Sequence, residues 1–147
     1  MTATRRQARE WAIQMLTAAD LNPSVPPEQI ITDYWEQLRT LEDDEGGTGG
    51  DLPRGKLKAF AEERVLGVLS SRDELDAVLS GLLVDWDVSR LGTVERAVLR
   101  MGIWEMKNSD VPKPVVINEA VDLTNWFSSP KSRALVNGIL DRFAKGL

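Results

Sequence analysis

The sequence predicts an all-α fold: a compact bundle of about seven helices, built as two packed helical sub-bundles. Three observations lead there. Apolar residues recur at helical spacing in one stretch after another. No segment alternates with a period of two over a strand's length. Proline, serine and glycine stand where helices start and stop. At 147 residues the chain is long enough to bury a real core, so a single domain spanning residues 1–147 is expected.

The first helix spans 4–20, with Ala8, Trp11, Ala12, Met15, Leu16 and Ala19 on one face and Thr2 or Thr4 as its cap. Asn22–Pro27 is a turn in which Ser24 could cap the second helix. That helix carries Ile31, Tyr34, Trp35 and Leu38 and is expected to end near Leu41. Residues 42–53 begin with an acidic, glycine-rich run that has almost nothing to bury, and read as a flexible connector. They do not mark a domain boundary, because two helices alone cannot cover their apolar stripes. The third helix runs from about Arg54 to Leu69 over Leu57, Phe60, Ala61, Val65 and Val68. Ser71 followed by Glu74 reads as a capping box opening a fourth helix, with Leu75, Val78, Leu79, Leu82 and Leu83 as its stripe.

Thr93 is placed to cap a fifth helix, Val94–Lys107, that is apolar nearly all round and so expected at the centre. Its polar residues are informative. Arg96, Arg100 and Lys107 share a stripe expected to face solvent. Glu105 falls in the apolar sector and must be hydrogen-bonded if buried. Glu95 sits in the first turn, where an acid suits the helix dipole. Pro112 and Pro114 start a sixth helix carrying Ile117, Ala120, Val121, Leu123, Thr124 and Phe127. Ser129 and Pro130 start a seventh, expected to bury Leu135, Val136, Ile139, Leu140 and Phe143. Gly138 inside it costs roughly 1 kcal/mol relative to alanine, which suggests close approach of another helix.

Composition narrows the function. There is no histidine and no cysteine, which excludes zinc sites built on those residues and nucleophile systems that use histidine. GGTGG at 46–50 lacks the Lys-Ser/Thr that a phosphate loop needs. No paired-carboxylate motif appears, so no enzyme, metal or cofactor is expected. No apolar run reaches the ~20 residues of a membrane span and no signal segment opens the chain, so a cytoplasmic protein is expected.

The net charge of −5 argues at first against nucleic acid, but residues 42–51 hold five acids and no base and account for the whole excess. Arg5, Arg6 and Arg9 open the chain with no acid before Glu10. Lys131, Arg133, Arg142 and Lys145 face only Asp141 near its end. Local charge decides where a phosphate backbone can lie. The opening arginines are either a solvated helix flank or a phosphate-contacting cluster. They oppose the dipole at that helix end, so they are not there to stabilise it.

Four blocks in order, RRQAREWAIQ at 5–14, VERAVLRMGIWEM at 94–106, INEAVDL at 117–123 and VNGILD at 136–141, resemble the NusB family of transcription antitermination factors. The likeness is firm over 5–16 and 54–147 and thin between. It implies a NusB-like RNA-binding domain without bond-making chemistry, which binds boxA single-stranded RNA jointly with NusE, a small-subunit ribosomal protein. Its setting would be the transcription elongation complex, promoting transcription of ribosomal RNA operons. The implied RNA-binding residues are Arg5, Arg6, Arg9, Glu95, Arg100, Lys131, Arg133 and Leu135. Three departures bear on base preference. Leu135 stands where the family commonly has phenylalanine, and is either a poorer base contact or plain core. Lys131 stands where an acid is often found, and Thr17 where a tyrosine is common. The family also includes members that self-associate, so a homodimer is open. The rival readings are a helical protein-interaction module that has lost RNA binding, motivated by the acidic total and missing aromatics, and an accessory domain of an RNA methyltransferase.

Overall fold

The structure, a computed structural model, describes residues 4–44, 55–83 and 87–146. Its helices are α1 (Arg5–Leu21), α2 (Pro27–Asp44), α3 (Lys56–Ser70), α4 (Arg72–Leu82), α5 (Thr93–Asn108), α6 (Lys113–Phe127) and α7 (Pro130–Lys145), with a 3-10 turn at Val88–Arg90. No strand occurs among the described residues. The chain forms two units, Met1–Leu66 and Gly67–Leu147, divided within α3 rather than in the acidic stretch. Most of that stretch (45–53), the alternative cap Thr2 and the expected helix start at Arg54 lie outside the described residues.

In the first unit, the Thr4 hydroxyl accepts the Gln7 N–H at 3.2 Å and starts α1. A cap of this kind is worth about 1 kcal/mol. Ala8, Trp11, Ala12, Ile13, Met15, Leu16 and Ala19 are its buried apolar side chains. At its end Asn22 Nδ2 donates to the Ala18 carbonyl at 2.8 Å and the Asn22 N–H to the Ala19 carbonyl at 3.2 Å, satisfying two carbonyls the helix leaves open. Ser24 does not cap α2. The Pro26 carbonyl takes the Gln29 and Ile30 N–H groups at 3.0 and 3.1 Å, and Pro27 fills the first helical position, where its missing N–H is harmless. The helix runs past the expected stop at Leu41 to Asp44, because acidic residues alone do not break a helix and the first glycine is Gly46. Trp35 meets Trp11 edge-on at 5.7 Å and Tyr34 at 5.3 Å, and its indole N–H donates to Glu62 at 2.8 Å. These contacts join all three helical segments of the unit.

In the second unit, α4 follows α3 with no loop. The expected capping box does not form: Ser71 lies at φ −110°, ψ 14°, and its hydroxyl makes no cap bond. Its N–H instead closes the last turn of α3 on Gly67 and Val68 at 3.1 and 3.2 Å. Helix α5 also starts one residue early. Gly92 is the cap position and Thr93 already lies in the first turn.

Helix α5 is central in this unit, packed on α4, α6 and α7. Every residue from Ala97 to Glu105 is buried. The stripe expected to face solvent is a correction: Lys107 is exposed, but Arg96 is half-buried and Arg100 is only 8% exposed. Arg96 donates to the Leu91 carbonyl at 2.7 Å. Glu105 is buried as expected and is not left without a partner.

Close helix packing uses glycines other than the one singled out from the sequence. A Cβ on Gly102 would come within 3.0 Å of the Leu140 side chain, and one on Gly67 would strike the Trp104 indole. Gly138 is exposed with open space around it, so it marks no helix contact. On α6 and α7 the fully buried apolar residues are Val116, Ala120, Leu123, Val136, Ile139 and Leu140, with Thr124 among them. Ile117, Val121, Phe127, Leu135 and Phe143 are half-buried rather than buried.

Candidate nucleic-acid interface

Basic residues gather in two groups, one in each unit. The first lies at the start of α1. The Thr4 cap fixes where the helix begins and so sets the direction of the next turn. Arg5 and Arg6 are exposed, whereas Arg9 is 4% exposed, because it falls beside Ala8 and Ala12 on the buried side of the helix.

A single ring organises these arginines. The guanidinium carbons of Arg5, Arg9 and Arg64 lie 5.6, 5.1 and 3.4 Å from the centre of Phe60. Arg64 is buried, donates to the Phe60 carbonyl at 3.3 Å and pairs with Glu63 at 3.2 Å. A cation over an aromatic face gains roughly 0.5–2 kcal/mol depending on its exposure. Arg5 is thus both exposed and ordered, which suits a phosphate-contacting side chain.

The second group lies around the start of α7. Ser129 caps that helix, accepting the Ser132 N–H at 3.4 Å, and Pro130 follows as the sequence predicts. Lys131 and Arg133 are exposed, and Arg133 donates to Asn125 at 2.9 Å. Leu135 is half-buried, between the two readings the sequence leaves open.

Glu95 and Arg100 are engaged inside the unit. One Glu95 oxygen accepts the Gly92 N–H at 3.0 Å and the other accepts the buried Ser132 hydroxyl at 2.9 Å. The Ser132 oxygen in turn accepts from Ser128 at 2.8 Å. Arg100 forms a bidentate pair with Asp76, at 2.7 and 2.9 Å. Glu95 thereby braces the start of α7, next to Lys131 and Arg133, while Arg100 ties α5 to α4.

Sequence reasoning passed over Trp126. It is 74% exposed, the most exposed large apolar side chain among the described residues. The available signal was a large aromatic residue standing off the stripe that buries Leu123 and Thr124. No group of three or more metal-ligating side chains occurs among the described residues, and no described helix is long and apolar enough to cross a membrane.

The model of the NusB family matches residues 6–145. The transcription antitermination protein NusB of Sorangium cellulosum is 37% identical over 144 residues, covering 97% of this chain and 93% of the relative. That of Geobacter sulfurreducens is 34% identical over 146 residues, covering 97% and 95%. Among solved structures, T. maritima NusB superposes with a TM-score of 0.81 at 29% identity, covering 99% of this chain and 93% of that one. A chain in a crystal structure of the antitermination factors NusB and NusE in complex with dsRNA gives 0.80 at 25% identity, covering 97% of each.

Proposed function

The chain belongs to the NusB family, and on that premise we propose that it binds boxA-type single-stranded RNA through Arg5, Arg6, Lys131 and Arg133. The protein is a transcription antitermination factor. In this reading it acts jointly with NusE at the transcribing polymerase, in the cytoplasm, and promotes transcription of ribosomal RNA operons. The solved relative in complex with NusE and dsRNA supports NusE and RNA as partner classes.

The observation that carries the assignment is the exposed Arg5 guanidinium, held over Phe60 and accompanied by the exposed Arg6. The arginine fork matches phosphate geometry, and stacking reduces the ordering needed on binding. Glu95 braces the start of α7 from within through Ser132, and Arg100 is taken up by Asp76. Ordered, exposed cations also weigh against the reading in which RNA binding has been lost.

The test is the salt dependence of binding to a short boxA-like single strand. Each phosphate contact contributes a slope of roughly −0.7 in log affinity against log salt. Arg5→Ala with Arg6→Ala should weaken binding and make the slope shallower by about one such step for each arginine that touches a phosphate. Unchanged affinity and slope would remove the N-terminal arginines from the interface.

A further inference from the structure

We propose that the Trp126 indole is a stacking platform for one base of the bound RNA, with Arg133 and Lys131 taking the adjoining phosphates. The proposal rests on the RNA-binding reading above and adds a site to it. Most of the Trp126 surface, 74%, is open to solvent at the C-terminal end of α6. The other described tryptophans are engaged otherwise: Trp11 and Trp104 are buried, and Trp35 donates its indole N–H to Glu62.

The surroundings of Trp126 select the ligand. Asn125, its chain neighbour, accepts the Arg133 guanidinium at 2.9 Å, which holds that cation against the residue next to the indole. Asp122, one turn before Trp126 on α6, is the acid of that helix closest to the indole and has a partner of its own; from Leu123 to Leu140 the chain carries Lys131 and Arg133 and no further acid. The nearby carboxylate of Glu95 is engaged by Gly92 and Ser132. In the adjoining chain Phe127 is half-buried, whereas Asn125, Ser128, Ser129, Pro130 and Lys131 are exposed and mostly polar, so the flanking sequence supplies no run of exposed apolar residues of the kind protein partners bury. An exposed aromatic face with a cation fixed beside the neighbouring residue is an arrangement that suits single-stranded nucleic acid: the ring stacks on a base and the cation meets the backbone.

The segment is also set in advance. The Ser128 N–H closes α6 on Thr124 at 2.8 Å, Ser129 caps α7, and Ser132 is bonded to Glu95. Little ordering is left to do when a base arrives.

Stacking and phosphate contacts leave different marks, and the test uses that difference. Trp126→Ala should weaken binding of a short boxA-like single strand by about tenfold at every salt concentration, displacing the log–log salt line without changing its slope. Lys131→Ala with Arg133→Ala should flatten the slope. Trp126→Phe, which keeps an aromatic face, should retain most of the affinity. The tryptophan emission quenched by RNA in the wild type should be largely missing in Trp126→Phe.

Wild-type affinity in Trp126→Ala, with Arg5→Ala/Arg6→Ala still impaired, would overturn the Trp126 site and leave the RNA-binding reading standing. Equal losses in Trp126→Ala and Trp126→Phe would overturn stacking. A defect confined to NusE capture, with RNA affinity intact, would assign the indole to the protein partner and overturn the proposal. No RNA binding by the wild-type chain would overturn both readings.

Discussion

The Glu95 carboxylate and the Ser132 hydroxyl meet at 2.9 Å and fasten the start of α5 to the start of α7. The second Glu95 oxygen holds the Gly92 N–H, so one side chain both caps a helix and ties it to its neighbour. Glu95→Ala removes both bonds and leaves the buried Ser132 hydroxyl without its acceptor. The expected loss is about 2 kcal/mol in urea unfolding, in line with hydrogen bonds to a charged group. Ser132→Ala should cost less, and the two changes should not add in a double-mutant cycle. Additive losses would mean that the bond contributes nothing.

Arg100 and Asp76 make a two-pronged pair with the arginine almost wholly buried. Arg100→Ala should therefore lower stability by about 2 kcal/mol, below the range for fully buried pairs because Asp76 keeps 30% of its side chain exposed. Lysine should not restore it, since an ammonium cannot span both carboxylate oxygens. RNA affinity per folded molecule should change by less than about twofold, against the steeper loss typical of a direct phosphate contact. Thermal unfolding and RNA titration of the same preparations check both statements.

Two glycines should respond to alanine with opposite signs. Gly102→Ala places a methyl against Leu140 and should cost about 1–3 kcal/mol by overpacking. Gly138→Ala adds a methyl in open space on a helix and should gain roughly 0.5–1 kcal/mol. Calorimetric melting of the two variants separates these outcomes, and a loss at Gly138 would contradict the open environment described.

Burial, then the Glu10 carboxylate, push the Tyr34 hydroxyl well above the usual tyrosine value of 10.0. The unfolded chain therefore loses this proton at a lower pH than the folded one. The stabilising contribution is complete below about pH 10 and declines as pH rises through that value toward the folded one. Tyr34→Phe should remove this part of the alkaline loss of stability. Chemical unfolding of both proteins from neutral pH to beyond the onset of the decline measures the difference.

What the sequence revealed was mostly local chemistry. Thr4 and Ser129 cap the helices they were expected to cap, because a cap is decided by residues three positions apart. The central, all-apolar α5 was legible for a similar reason: its pattern needs no knowledge of its neighbours. The misread residues depend on partners distant in the chain. Arg100 turns inward because Asp76 of α4 takes it, and Gly138 lies against nothing although glycine in a helix suggests contact. In the proposed interface, Arg5 and Arg6 are exposed. The burial of Arg9 depends on surroundings that helical periodicity within α1 could not reveal, including the Phe60 ring more than one helix away. Trp126 was visible in the string, but a residue that departs from the packing stripe carries no periodic signal of its own.

The arginines of this protein are held in two ways, with different electrical results. A carboxylate fixes Arg100 and nearly cancels its field. An aromatic ring steadies Arg5 and subtracts almost nothing from it. An acidic molecule can in this way keep a local positive charge aimed outward before any counter-ion arrives.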